Sequence, residues 1–326
     1  MKVFSGAAVS HFAASYWDVP PYCECQFVRR GFNDHYRLGA GKQVWYARFY
    51  LPGKWWIRGH DDCLAELEIL HDLSKRGLPV GAPIRTREER WAVTLPGEET
   101  LVALFPAVAG APLEANAVGE WIQEIGRNLG KLHLAMTALG NRHPRMVLET
   151  RDLVDDPMDF LASAIRRRRG IEIDFFRGVI EELKDSLKNL ARTQERFGLC
   201  HGDANLRNVL CSRERGAYMI DFDHAFVGWR GLDIANFLLN LATEHHRNFL
   251  DAYESVRPMD AEERSLLPVF ADLMVIRGAR DVQSMFPVWG LDPDGEVFDL
   301  RIDFILDWMQ KRLQGISLLP PLAEPT

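Results

Sequence analysis

"LCHGDANLRNVLCS", residues 199–212, sets a histidine, an aspartate and two asparagines within eight residues, between two short apolar, strand-like pairs. A plain turn needs its polar side chains only to satisfy nearby backbone. This one is followed by a second carboxylate. Asn208 opens the apolar run "NVLC", the turn "SRERG" comes next, and "AYMIDFDHA" carries Asp221 and Asp223. A strand, a turn and a second strand bring Asp203, Asn208 and Asp221 to one spot. The pattern H-x-D-x4-N with a downstream apolar-Asp element suits phosphoryl transfer, which needs a carboxylate to position the attacking hydroxyl and accept its proton. It also needs an amide oxygen and a second carboxylate to hold Mg2+ against phosphates. The plainer alternative has His201 and Asp203 capping a turn, but a cap calls for no second aspartate.

The rest of the chain sets the boundaries. Its 326 residues are 47% hydrophobic and 26% charged, which is globular composition with length for two unequal lobes. A net charge of −7 offers no cationic surface for a nucleic-acid backbone or an anionic membrane. The five cysteines are scattered without paired spacing, which fits a reducing cytoplasm better than a disulfide framework or zinc site. His11 interrupts the opening apolar stretch before it could serve as a secretory signal, and no run of about 18 apolar residues exists to span a membrane.

Upstream, "CQFVRRGFNDHYRLGAGKQVWYARFYL" (25–51) reads as successive strands with a hairpin near "GAGK". In "VWYARFY", Arg48 shares a face with Val44, Tyr46 and Tyr50. "DDCLAELEILHDLSKRG" reads as a helix capped by Asp61 or Asp62 and ended by Gly77, with Glu66 able to face inward. "WAVTLP" and "LVALFP" supply two more strands, and the Gly/Pro-rich "AVAGAPLE" then leads into helical texture. Segments 119–136, 157–196, 260–282 and 298–314 read as helices. His133 is a buried, satisfied histidine, and "RRRR" (166–169) is a solvated helix end. The fold class is α+β: a small antiparallel-sheet lobe with one helix over residues 1–106, then a larger, mainly helical lobe over 107–326.

"HGDANLRN" followed by "MIDFDHAFVGWRGLDIANFLL" resembles the signature of the aminoglycoside phosphotransferase and choline kinase superfamily, whose fold is similar to that of protein kinases. "YARFYLPGKWW" and "GWRGLDIANFLL" most resemble its bacterial stress-response kinase and homoserine kinase type II branch. The resemblance implies a bilobal kinase fold with ATP and Mg2+ as cofactors. It implies Asp203 as catalytic base or positioner, His201 as the residue orienting that loop, Asn208 and Asp221 as magnesium ligands, and Asp233 as a buried partner fixing the loop. Gly31 and Asn33 would lie in the nucleotide-covering turn. Arg48 would stand where a phosphate-binding lysine is common, with Glu66 as its helix partner. Leu104, Phe105 and Ala107 would belong to a hinge (104–108) facing adenine.

Two departures stand out. The covering turn "RRGFNDHY" has a single glycine, and Arg48 replaces lysine. An arginine fork can grip phosphate or Glu66 but is not interchangeable with an ammonium. Asp223 is read equally as a further metal or water contact and as a structural carboxylate. The leading expectation is phosphoryl transfer to a hydroxyl of a small molecule. A protein Ser/Thr acceptor and a nucleotide-binding regulatory module are the alternatives. The acidic stretches "LVDDPMDF" and "LDPDGEVFDL" read as solvated loops, with a cationic acceptor as the other possibility. The acceptor's identity and the oligomeric state have no readable motif.

Overall fold

A computed structural model of the chain describes residues 3–114, 117–140, 142–290 and 295–319. Its smaller lobe is built on strands β1 (Glu24–Arg30), β2 (Asn33–Ala40), β3 (Gln43–Tyr50), β4 (Ala92–Thr94) and β5 (Leu101–Pro106). They form one antiparallel sheet in the order β1-β2-β3-β5-β4. Alternation in β3 decides its two faces. Trp45, Ala47 and Phe49 pack into a core with Val9 and Ala13 of α1 (Gly6–Tyr16), a helix the sequence reading did not anticipate, and with Trp17 just after it. Arg48 and Tyr50 face the other way, towards α2 (His60–Lys75).

The cap of α2 differs from expectation. Gly59 occupies the N-cap position, and Asp62 instead accepts from the Arg58 backbone N–H (2.7 Å) and guanidinium (2.6 Å). The carboxylates of the first turn still favour that helix end electrostatically. Gly77 follows the helix with φ +77°, a conformation costly for residues with a Cβ, and Leu78 N–H closes on Leu73 O at 3.2 Å.

After β5 the chain crosses through β6 (Ala111–Pro112) into the larger lobe. Helices α3 (Val118–Leu139), α4 (Asp156–Arg169), α5 (Arg177–Asn189), α6 (Gly231–Leu239), α7 (His246–Glu254), α8 (Ala261–Ser265), α9 (Leu267–Trp289) and α10 (Glu296–Leu313) surround two small sheets. These pair β7 (Phe197–Cys200) with β10 (Phe226–Trp229), and β6 with the hairpin of β8 (Val209–Ser212) and β9 (Gly216–Met219). Helix α3 presents Ile122, Ile125, Leu129, Leu132 and Met136 to the core, as their helical spacing predicts. At Gly126 a Cβ would lie 3.1 Å from that of Ala252, so the close packing of α3 on α7 depends on the missing side chain.

Three boundaries fall short of the sequence reading for local reasons. The helical segment 157–196 breaks at Gly170, which takes φ +66°. Segment 260–282 splits because Pro268 sits in the first turn of α9, where a missing N–H costs nothing. β9 stops at Met219, since Asp221 turns to φ +69° and leaves the strand. The arginine run is only half a solvated helix end: Arg166 and Arg167 are exposed, but Arg169 pairs with Asp299 and Asp303, each at 2.7 Å, and Arg168 also pairs with Asp299, lashing α4 to α10. No described helix is long and apolar enough to cross a membrane.

Candidate active site

The loop after β7 is held by one buried carboxylate. Asp233 in α6 accepts the His201 N–H (2.7 Å) and the Gly202 N–H (2.9 Å), and receives His133 Nε2–H at 3.0 Å. Tyr253 hydroxyl donates to His133 Nδ1 (2.7 Å) while accepting from Arg257 (2.8 Å), so the neutral Nε2–H tautomer satisfies every partner. His133 is thus the buried, satisfied histidine of the sequence reading, and its work is to back Asp233. Gly202 has φ +87°, and a Cβ there would run into the His224 carbonyl. Arg277, also buried, donates to Gly202 O at 2.8 Å.

Burial pushes the His133 imidazole down from 6.5 to about 4, with Asp233 only partly opposing. The sign follows directly. Between those values the unfolded chain takes up a proton that the folded one refuses, so stability falls as pH drops from 6.5 towards 4, by up to about 1.4 kcal/mol per pH unit. Urea midpoints at pH 7 and pH 5 should show the loss, and His133→Gln should remove most of it. An unchanged slope in that variant would assign the acid sensitivity elsewhere.

Within the loop, His201 Nδ1 accepts from Asp203 N–H (3.3 Å) and Nε2 donates to Ile220 O (3.1 Å), joining the loop to the chain just before Asp221. Asn208 donates its amide to Asp203 Oδ2 and to Asp203 O, both at 2.8 Å. Its own carbonyl accepts Ile220 N–H at 3.0 Å. Asn205 donates to Asp203 Oδ1 at 2.8 Å, with Asn236 of α6 at 3.4 Å. The structure therefore bonds Asp203 directly to Asn208, and a backbone rung joins Asn208 to the residue before Asp221.

Glu66 of α2 is fully buried and receives Arg48 Nη1 at 2.6 Å and the Tyr50 hydroxyl at 2.9 Å. Arg48 Nη2 lies 3.2 Å from Asp221 Oδ1, yet that buried oxygen completes no hydrogen bond. The guanidinium spans the gap between α2 and the Asp221 loop and sits over the Phe105 ring at 4.9 Å. The Asp221 carboxylate, whose Oδ1 has an ion-pair partner but no hydrogen bond, and an amide oxygen on Asn208 that bonds to no described residue are hard-oxygen donors of the kind Mg2+ takes. Among the described residues no group of three or more His, Cys, Asp or Glu side chains is arranged to hold a metal.

Other expected contacts are placed differently. Gly31 lies in the turn between β1 and β2, where its carbonyl accepts Trp289 Nε1–H of α9 at 2.8 Å. Asn33 begins β2, but its side chain is buried and points at the lower loop. It donates to Asp223 Oδ2 (2.8 Å) and accepts from Lys54 Nζ (2.6 Å), which also pairs with Asp223 at 3.3 Å. Asp223 further accepts from His224 Nδ1 at 2.8 Å. Lys54 and His224 outweigh burial and hold the Asp223 carboxyl well below its usual range. Both Asp223 oxygens thus have protein partners, Oδ2 with Asn33 and Lys54 and Oδ1 with His224. In the hinge, Leu104 packs in the core behind the sheet and its carbonyl accepts Ile84 N–H at 2.7 Å. Ala107 N–H is spent on Val44 O at 3.0 Å, and Pro106 has none, so Val108 offers the free backbone donor after β5.

Sequence reasoning missed Lys54, Arg145, Arg277 and His224. Arg145 is buried and donates to Asp223 O (2.7 Å), Ala225 O (2.6 Å) and Asp62 O, so one side chain stitches α2 to the lower loop. The lysine inside "PGKWW" carried a signal, because a cation followed directly by two tryptophans is apt to be buried with a partner.

Fold and site together define a bilobal phosphotransferase. Residues 24–264 match the model of the phosphotransferase enzyme family, APH, and the chain belongs to that family. Among curated relatives, an uncharacterized protein of Synechocystis is 26% identical over 293 residues, covering 85% of this chain and 78% of that protein. A homoserine kinase of Beijerinckia indica is 28% identical over 221 residues, covering 63% and 64%. Among solved structures, an amicoumacin kinase in complex with AMP-PNP, Ca2+ and amicoumacin superposes with a TM-score of 0.75 at 17% identity, covering 97% of this chain and 96% of that one. A microcompartment-associated aminopropanol kinase gives 0.71 at 18%, covering 94% and 98%.

Proposed function

We propose that the chain moves the γ-phosphoryl group of ATP to a hydroxyl of a small-molecule acceptor in the cytoplasm, with residues 1–106 covering the nucleotide and 107–326 carrying catalysis and acceptor binding. The bonding of Asp203 to Asn208, and of Asn208 to the backbone before Asp221, carries this reading, because it unites a proton acceptor with two oxygen donors. Asn208 Oδ1 and the Asp221 carboxylate would hold Mg2+, which supplies charge neutralisation to the phosphates when bound. Asp203 takes the acceptor's hydroxyl proton as the new O–P bond forms and the bond between the γ-phosphorus and the ADP oxygen breaks. Asn205, Asn208 and Asn236 orient that carboxylate through their amides.

Arg48 ties Glu66 to Asp221 and so sets the distance between the lobes' phosphate-facing groups. A lysine ammonium cannot fork between both carboxylates, so Arg48→Lys should raise KM for ATP about 3- to 10-fold with a smaller change in kcat. An unchanged KM would detach Arg48 from the nucleotide.

The test of the function is transfer from γ-labelled ATP with a metabolite extract and a protein extract offered side by side. Label in the metabolite pool supports the proposal, and label confined to protein turns it into a protein kinase. ATP binding without transfer to either makes the chain a nucleotide-binding module.

A further inference from the structure

Asp233 fixes the two peptides that precede that of Asp203, through the N–H groups of His201 and Gly202. The next peptide, which joins Gly202 to Asp203, is held differently. Its N–H reaches His201 Nδ1 at 3.3 Å, and its carbonyl accepts Arg277 Nη1–H of α9 at 2.8 Å. A peptide is planar, so turning this one about the glycine swings Asp203 with it, and a glycine resists such a turn least. Arg277 is therefore the charged grip on the tilt of Asp203.

The Arg277 guanidinium is buried over the Phe226 ring at 5.0 Å, and its Nε has no hydrogen-bond partner. One turn along α9, Asp281 Oδ2 stands 3.7 Å from that Nε, close enough to attract it and too far to bond. Asp281 is itself tied. Its Oδ1 accepts Trp55 Nε1–H at 2.8 Å, and Trp55 belongs to the smaller lobe, in the loop between β3 and α2. The Trp55 ring rests on the Arg280 guanidinium at 4.0 Å, and Arg280 is anchored by Asp152 at 3.3 Å and by Asp156 of the acidic stretch 153–160 at 3.0 Å. Beside it a Cβ at Gly53 would lie 3.5 Å from Ser284 O, so the loop sits directly on α9. In the other acidic stretch, residues 291–294 lie outside the described residues and Asp299 is taken by Arg168 and Arg169. Contacts thus lead in order from Trp55 through Asp281 and Arg277 to the peptide that carries Asp203.

We propose that Arg277 is a positioning residue for Asp203 and that Trp55 sets it through Asp281, so that the seating of the smaller lobe on α9 decides how the reacting carboxylate is aimed. This rests on the phosphotransferase reading of Asp203. Loss of the indole N–H frees Asp281 to close on the idle Nε–H of Arg277. A guanidinium drawn towards Asp281 is drawn away from where Gly202 O now fixes it.

The experiment is a double-mutant cycle on the full chain. Trp55→Phe keeps a ring on Arg280 and removes only the N–H, a cleaner break than a change at Asp281, whose field also reaches His224 and Arg301. With saturating γ-labelled MgATP and the metabolite extract as acceptor pool, Arg277→Met should slow transfer about 10-fold or more, the size of one hydrogen bond from a charged donor, and Trp55→Phe about 3-fold. KM for ATP should stay nearly unchanged in both, and Arg277→Lys, which keeps a charged donor, should recover part of the rate. In the double variant the losses should not multiply, because without Arg277 the indole has nothing left to set. Amide hydrogen exchange over residues 199–208, in the same proteins without ATP or acceptor, gives a readout independent of turnover and of any general loss of stability in Arg277→Met. Trp55→Phe, made in the other lobe, should speed that exchange in the parent background and leave it unchanged in Arg277→Met. Should none of the proteins phosphorylate anything, exchange alone decides the relay and only the phosphotransferase reading fails. Losses that multiply, or loop exchange indifferent to Trp55→Phe, would overturn the relay while leaving phosphoryl transfer standing.

Discussion

Asp203→Ala is expected to fold and bind nucleotide as the parent does while losing about 100-fold or more in kcat, the scale of a positioned proton acceptor. The physical reason lies in how the carboxylate is used. Its two oxygens receive amides from Asn205 and Asn208 at 2.8 Å and from Asn236 at 3.4 Å, all side-chain donors fixed by the surrounding loop and α6. It forms no ion pair with a described residue and is only half-buried, and Asn205 and Asn208 also donate to Asp203 O, an acceptor that the truncation keeps. Stability should change little, and the loss should fall on the chemical step. Single-turnover transfer together with a melting curve checks both halves, and a variant that turns over normally would remove Asp203 from the reaction.

Asp233→Ala is expected to do the opposite, taking fold and activity down together. Asp233 is 1% exposed and meets three donors: two successive backbone N–H groups of the catalytic loop and His133. Truncation would strand all three in a site closed to water, at a cost of about 3–5 kcal/mol, typical of removing one partner from a buried charged network. Chemical denaturation reads the stability loss, and kcat measured well below the new melting temperature reads the misplaced loop. A variant as stable as the parent would mean that the loop is fixed by other contacts, with Arg277 on Gly202 O the first to examine.

Much of the architecture was legible in the sequence because it is written in short-range pattern. Alternation in 44–50 separates the two faces of β3, helical spacing in 119–136 gives the buried side of α3, and the polar cluster at 201–208 announces a loop built for chemistry. What escaped depends on distant partners. Nothing local to Asn33 foretells that its amide turns inward to a lysine 21 positions away and an aspartate 190 positions away. Arg168 and Arg169 look solvated until α10 arrives with Asp299 and Asp303. Likewise a strand-like run through Asp221 gives no sign that this residue adopts φ +69°, a backbone state that surrounding contacts impose.

The turn between β1 and β2 does not hang free over the cleft. Phe32 packs edge-on against Trp56 at 5.0 Å and beside Trp289 at 5.6 Å, the Trp289 indole bonds Gly31, and Trp55 bonds Asp281 across the lobes at 2.8 Å. Three indoles therefore sit where the upper and lower halves meet. Entry or release of nucleotide that parts these halves would change the polarity around those rings. The molecule thus carries a built-in optical gauge, and its own ultraviolet emission should follow the gape of the cleft without any attached dye.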